Sequence, residues 1–219
     1  HIEKYKHVAR HLLRIRSIQR SHHQSQELDR SDKTDGENQT NSKHQINNDA
    51  SSTNLGFTEF VLLPYVHMEA PLYQKGKSRS GPTFRESVAL HAISRLVLHP
   101  YFNNIQVSWT KMGHMGATAC LDAGVNDLGG TLMNETITRS AGASHGQETS
   151  PTSMEEIIRS VGRNPQQRGT QYQKASLSQT NQSFDATPLT DPLYDTVGIS
   201  ATTKTQKRIR ISNSTPNTA

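Results

Sequence analysis

His67 and Glu69 stand two residues apart at the end of the most apolar run in the chain. Asn126, Asp127, Gly129, Gly130, Thr131, Asn134 and Glu135 crowd together further on. An imidazole near a carboxylate can move a proton or hold a ligand. Paired glycines let the backbone adopt unusual dihedrals and let a ligand approach closely. Thr131 carries the hydroxyl to cap a following helix, whose free amides would suit a carboxylate or a phosphate. Each group also has a plainer reading: a hydrogen-bonded loop histidine beside a surface glutamate, and a tight capped strand-to-helix connection. Cys120 is the single cysteine. It excludes an internal disulfide and a multi-cysteine metal site, and with no charged neighbour to activate it, it reads as a small buried residue.

Rigid elements must stand behind these groups. Residues 57–66, FTEFVLLPYV, give the strongest strand signal, nearly continuously apolar as in a strand buried on both faces, with Pro64 at its exit. Ile105-Gln106-Val107-Ser108-Trp109 alternates apolar and polar residues and predicts a second strand, and Val125–Leu128 a third. Gly81-Pro82 opens a helix over 82–98, with Phe84, Val88, Ala92 and Leu96 marking its buried side. Further helices are predicted over 113–124, over 131–141 behind the Gly-Gly turn, and from Ser150 to Gly162. The strand-helix-strand order predicts parallel crossovers, and in such architectures ligands sit at the carboxyl ends of the strands.

Hydrophobic residues make up 32% and aromatics 5% of the 219 residues, too polar for a uniformly folded globule. Residues 1–20 carry an apolar stripe at helical spacing. Their six basic residues against Glu3 account for the whole net charge of +5, so the remainder is balanced and nothing singles out a nucleic-acid partner. Residues 21–55 are rich in Ser, Asn, Gln and Asp and predict a disordered insertion, in which His22, His23 and His44 read as solvated; residues 173–219 predict a disordered tail. No run is long and apolar enough to span a bilayer, so no membrane partner is expected, and the expected location is the cytoplasm.

GFTEFVLLPYVHMEAPLY, GPTFRESVALHAISRLVLHP, NIQVSWTKMG and ATACLDAGVNDLGGTLMNETITRSAGASHGQE resemble the carboxyl-terminal half of the tyrosine-using component of FO synthase, a radical S-adenosylmethionine enzyme family. The resemblance covers residues 1–20 and 56–172. It implies an α/β fold, the carboxyl-terminal part of a partial TIM-type barrel. It implies a transferase of deazaflavin biosynthesis, in which a 4Fe-4S cluster and S-adenosyl-L-methionine initiate fragmentation of L-tyrosine and the 4-hydroxybenzyl group joins 5-amino-6-(D-ribitylamino)uracil. The family's C-x-x-x-C-x-x-C cluster motif is absent from these residues. A chain with one cysteine is therefore expected to be inactive alone, its partner being a missing amino-terminal half or a fused ring-closing radical enzyme. By position, the resemblance implies catalytic roles for Asp127, Glu135 and His67. It implies substrate or S-adenosylmethionine contacts for Glu69, Gln106, Ser108, Trp109, Asn126, Gly129, Gly130, Thr131 and Asn134. A non-catalytic binding or assembly module, and a menaquinone-pathway radical enzyme on the same barrel, are the alternatives.

Overall fold

The computed structural model of the protein describes residues 5–34, 56–132 and 134–187. The first element, α1 (Tyr5–Thr34), packs against a later helix, α3 (Phe84–Leu98), through the stripe that holds Val8, Leu12 and Ile15. It runs well past residue 20, where the sequence predicts disorder. The polar residues there satisfy themselves along the helix: Ser21 Oγ donates to Ile18 O at 2.7 Å and Ser25 Oγ to Ser21 O at 2.9 Å. They are also anchored. Gln19, 3% exposed, donates Nε2 to Phe57 O at 3.1 Å and accepts from Phe57 N at 2.8 Å, and His23 meets the Tyr101 ring edge-on at 5.8 Å. The remainder of the predicted insertion, 35–55, lies outside the described residues, as does 188–219 of the predicted tail.

Because the Gln19 amide occupies both backbone groups of Phe57, the first strand is shorter than its apolar run. β1 is Phe60–Leu62, and Pro64 follows close behind it. β2 is Ile105–Val107, parallel to β1 with Phe60 opposite Ile105, Val61 opposite Gln106 and Leu62 opposite Val107. The third predicted strand is reduced to one parallel bridge between Gln106 and Asp127. The described residues thus form an α/β unit with few strands, three parallel segments that do not close a barrel.

Between the strands, α2 (Pro71–Gln74) is a single turn. α3 starts on Thr83, whose side chain accepts from Glu86 N while the Glu86 carboxylate accepts from Thr83 N, a reciprocal cap. Its buried residues are Ser87, His91, Ser94 and Leu98, whereas Phe84 and Leu96, expected on the buried side, are 55% and 78% exposed. The helix is rotated from the face its hydrophobic residues suggest, because small and polar side chains let it lie close to its neighbours. His91 is fully buried. Its Nδ1 lies 2.8 Å from Ser87 O, its Nε2 has no partner, and burial holds its pKa below the ordinary histidine value.

α4 (Trp109–Asp122) breaks at Gly113, where φ is 67° and an added Cβ would lie 2.8 Å from the His145 ring. The core gathers Leu98, Phe102, Ile105, Val107, Ala117, Cys120, Leu121 and Val125 between the sheet, α3 and α4. α5 (Ile137–Ser140) is one turn. α6 (Pro151–Ser160), capped by Ser150, buries Ile157 and packs on α4. α7 (Leu177–Asp185), with a Ser176/Gln179 capping box, lies on α6 where the sequence predicts a disordered tail. A helix with no buried residue is invisible to a hydrophobic pattern, and its cap is its clearest local signal.

Candidate functional site

Parallel segments end on one side of a sheet, so the loops after Leu62, Val107 and Asp127 begin as neighbours. In the first loop, Gly81 N donates to His67 Nδ1 at 2.9 Å, and the Tyr73 ring meets the imidazole edge-on at 4.6 Å. A ring nitrogen that accepts carries no proton, so the neutral imidazole holds its proton on Nε2 and offers it as a donor. Glu69 lies beside it in the same loop: its N–H donates to Ala141 O at 2.9 Å, and Gln74 Nε2 donates to its Oε2 at 3.3 Å. That ties the loop after β1 to the end of α5.

In the second loop Ser108 is the N-cap residue of α4, so Trp109, read as strand in the sequence, is the first helical residue. Lys111 and Met112 donate to Ser108 O at 3.1 and 3.0 Å. Ser108 Oγ lies 3.0 Å from Thr110 Oγ1. Trp109, 5% exposed, donates Nε1 to Gly130 O at 2.9 Å and so ties the second loop to the third.

Gln106 and Asp127 pair in register and belong to the face opposite Ile105 and Val107, which are buried in the core with α3 and α4. Gly129, at φ 76°, admits the Gln106 side chain: an added Cβ would lie 2.6 Å from Nε2. Asp127 is almost fully buried. Its Oδ1 accepts from Gly129 N at 2.6 Å and its Oδ2 from Arg168 Nε at 2.5 Å. Arg168 Nη2 lies 3.6 Å from Glu59 Oε2, Tyr172 donates its hydroxyl to the same oxygen at 2.5 Å, and the guanidinium sits 4.0 Å over the Tyr172 ring. Burial pulls the Arg168 pKa down, but the hydrogen bond and charge of Asp127 outweigh it and the net shift is upward. Burial, then the hydrogen bond to Glu59, drives the Tyr172 phenol well above its ordinary value, so it stays a donor.

Asn126 turns the other way. Its Oδ1 accepts from Ile105 N at 2.9 Å and from Arg95 Nη2 at 2.7 Å, which fastens the start of β2 rather than its end. The helix predicted over 131–141 is absent before Ile137. Leu132 has φ 54°, Thr131 O accepts from Thr149 N at 3.0 Å, and Glu135 N donates to Gln147 O at 2.9 Å, so this stretch bonds to 147–149 instead. Asn and Thr are weak helix formers, and Gly129-Gly130 gives the chain freedom to leave helical geometry. Thr131 therefore caps nothing. Glu135 does the capping: its Oε1 accepts from Thr138 N at 2.9 Å and from Thr138 Oγ1 at 3.1 Å. Asn134 Oδ1 is buried without a partner, and a Cβ added at Gly130 would meet nothing within 4 Å.

The structure therefore joins Gln106, Asp127 and Gly129 into one polar face and ties Trp109 to Gly130, while Ser108, His67, Glu69 and Glu135 bond within the loops that follow the strands. Glu59, Arg168 and Tyr172 went unread in the sequence. A cavity of about 300 Å³ lies elsewhere, between α1, β1 and α3, and none of the sequence-predicted site residues lines it. Among the described residues no three His, Cys, Asp or Glu side chains are grouped to hold a metal ion, and no helix is long and apolar enough to cross a membrane.

A profile of the family described as the CofH/MqnC C-terminal region matches residues 54–181. The FO synthase of Nocardia farcinica is 51% identical over 117 residues, 53% of this chain and 14% of that protein. The FO synthase of Mycobacterium leprae is 45% identical over 128 residues, 58% of this chain and 15% of that protein. The 5-amino-6-(D-ribitylamino)uracil--L-tyrosine 4-hydroxyphenyl transferase of Methanopyrus kandleri is 49% identical over 118 residues, 54% of this chain and 32% of that protein. The chain thus spans about a seventh of these FO synthases and about a third of the transferase. No solved structure gave a significant match.

Proposed function

Since the chain belongs to the CofH/MqnC C-terminal region family, we propose that it forms the carboxyl-terminal part of a transferase of FO biosynthesis. The reaction joins the 4-hydroxybenzyl group of L-tyrosine to 5-amino-6-(D-ribitylamino)uracil by radical S-adenosylmethionine chemistry. The observation that carries this reading is the 49% identity over 118 residues to the Methanopyrus kandleri transferase, beside the family match over residues 54–181, which hold the polar face and loops.

The residues present do not fit a 4Fe-4S cluster. Cys120 is the one thiol in the chain; it is fully buried, and burial pushes its pKa up to about 11, so it is held as a thiol rather than a ligating thiolate. Cluster and S-adenosylmethionine cleavage therefore belong to polypeptide that this chain does not contribute, and the chain alone is inactive.

What these residues supply is a substrate wall. His67 Nε2–H is placed to donate to a carbonyl or phenolic oxygen. In its neutral form it is a donor and not a base, since Nδ1 is occupied by Gly81 N. Asp127 and Glu135 act by position. Asp127 holds Gly129 and Arg168, Glu135 holds the turn of α5, and the two together shape the loops around Gly130 and Ser108. Asn134 Oδ1 and the Gln106 amide are the acceptor and donor groups fit to read a uracil edge or ribityl hydroxyls.

The test is a chimera in which residues 56–172 replace the matching third of the Methanopyrus kandleri transferase, loaded anaerobically with iron and sulfide. Product from L-tyrosine and the aminouracil is expected, and the His67→Phe form should bind the aminouracil more weakly. Turnover of a futalosine-type substrate instead would move the chain to the menaquinone reaction. A loaded chimera that turns over neither would remove the enzyme reading.

A further inference from the structure

Gln106 is the uncommitted polar group of the polar face. Register puts Val61, Gln106 and Asp127 in one row across the three parallel segments, and residues paired in this way point to the same side of the sheet. Val61 is apolar, and Asp127 spends its carboxylate oxygens on Gly129 and Arg168. The Gln106 side-chain amide is half-buried, with two N–H groups to give and an oxygen to accept, and among the described residues no hydrogen bond holds it. What backs it is Gly129. The left-handed turn there, at φ 76°, lays backbone against the amide so closely that an added Cβ would stand 2.6 Å from Nε2 and 3.1 Å from Cδ. The plane of the amide therefore follows the position of that turn, and Asp127 sets the turn, its Oδ1 accepting from Gly129 N at 2.6 Å.

Asp127 is held in turn from a distant hairpin. Arg168 and Lys174 form an antiparallel bridge, Gly169 N donates to Gln173 O at 2.8 Å, and Tyr172 N donates to Gly169 O at 3.1 Å. At the tip Tyr172 takes φ 64°, a conformation uncommon outside glycine that its surroundings must hold. They do so through the guanidinium 4.0 Å from its ring centre and through its own hydroxyl, which donates to Glu59. Every nitrogen of Arg168 is engaged: Nε on Asp127, Nη1 on Gly169 O at 3.2 Å, and Nη2 3.6 Å from Glu59 Oε2. A guanidinium so committed orients its partners instead of reaching for a ligand. The row itself does not depend on it, because Val107 N donates to Asp127 O at 3.0 Å and Asn126 N to Ile105 O at 3.1 Å through backbone alone. Loss of Arg168 therefore frees the Asp127 carboxylate and the Gly129 turn while the segments stay paired.

We propose that Arg168 is a positioning residue for the aminouracil: through Asp127 and the Gly129 turn it fixes the Gln106 amide, which pairs its donor and acceptor with the adjacent C=O and N–H of a uracil edge. The inference rests on the function proposed above and deepens it, but its test needs neither cluster nor turnover. The full chain, isotope-labelled for NMR, is titrated with 5-amino-6-(D-ribitylamino)uracil, and the Gln106 side-chain amide signals are identified by their loss in Gln106→Ala. Arg168→Ala should move those signals while the Asn126 and Val107 backbone amides keep their exchange protection. It should also weaken aminouracil binding roughly tenfold, the worth of one well-made hydrogen bond. Gln106→Ala should weaken binding as much, and the double variant no further. Gln19→Ala removes an anchor far from the row and should leave the affinity within about twofold, which separates positioning from a general loss of stability. Should Arg168→Ala fail to fold, Arg168→Lys keeps the charge without the planar fork and is read in the same way. Unmoved Gln106 signals, losses that multiply in the double variant, an equal loss in Gln19→Ala, or a wild type that does not bind the aminouracil each overturn the proposal. A chimera that makes no product removes the enzyme reading and leaves this coupling standing; multiplying losses beside an active chimera do the reverse.

Discussion

Arg168→Ala probes how the polar face is held. Asp127 has a 6% exposed side chain and two partners, Gly129 N at 2.6 Å and Arg168 Nε at 2.5 Å. Removing one member of a buried ion pair costs roughly 3–5 kcal/mol, because the charge left behind is poorly solvated. Arg168 is 26% exposed, so water can follow the truncation, and the Gly129 amide remains; the loss on Asp127 should be about 2 kcal/mol. Glu59, 35% exposed and 3.6 Å away, adds well under about 1 kcal/mol. Loss of the guanidinium over Tyr172 adds about 0.5–1 kcal/mol. The total is about 3 kcal/mol, which lowers Tm by about 6–12 °C in a chain of this size. Thermal melts by circular dichroism read this directly. The double variant Asp127→Asn, Arg168→Met removes both charges and should recover more than half of the loss. An Arg168→Ala melt within about 1 °C of the wild type, or a double variant no better than the single, would refute the buried-pair argument.

Two other perturbations test the scaffold. Gln19→Ala leaves both backbone groups of Phe57 without their side-chain partner and should cost about 1–3 kcal/mol, seen as faster amide exchange at Phe57 and faster proteolysis ahead of β1; unchanged protection there would mean that Gln19 does not anchor the strand. Cys120, fully buried and raised from 9.0 to about 11, binds its proton more tightly folded than unfolded. Its contribution is complete below pH 9 and is lost as pH climbs from 9 towards 11, by about 2–3 kcal/mol in all. Urea midpoints should fall across that window and fall less steeply in Cys120→Ala; parallel slopes would place the alkaline sensitivity elsewhere.

What the sequence made legible was local. Thr83 with Glu86, and Ser150 ahead of Pro151, cap α3 and α6 close to where those residue types predict a start, because a cap is settled within one turn of chain. The parallel order of β1, α3 and β2 also follows from element order alone. The misjudged parts all depend on distant residues. α3 buries Ser87, His91 and Ser94 and exposes Leu96 because its neighbours decide which face is covered. α1 persists beyond residue 20 because Gln19 finds the backbone of Phe57, 38 residues away. Thr131 looked like a helix cap, yet its carbonyl bonds to Thr149, and the capping passes to Glu135. The candidate site repeats the pattern: Gly129 and Asp127 were readable as a turn and a carboxylate, but Arg168, 41 residues on in a polar stretch without periodicity, had no local sign that it would close on Asp127. An ion pair across such a distance is made by the fold, and so the polar face exists only once residues 163–176 have docked. Any change that loosens that segment should disturb Asp127 and Gly129 before it disturbs the core around Ile105 and Val107, both fully buried on the opposite face.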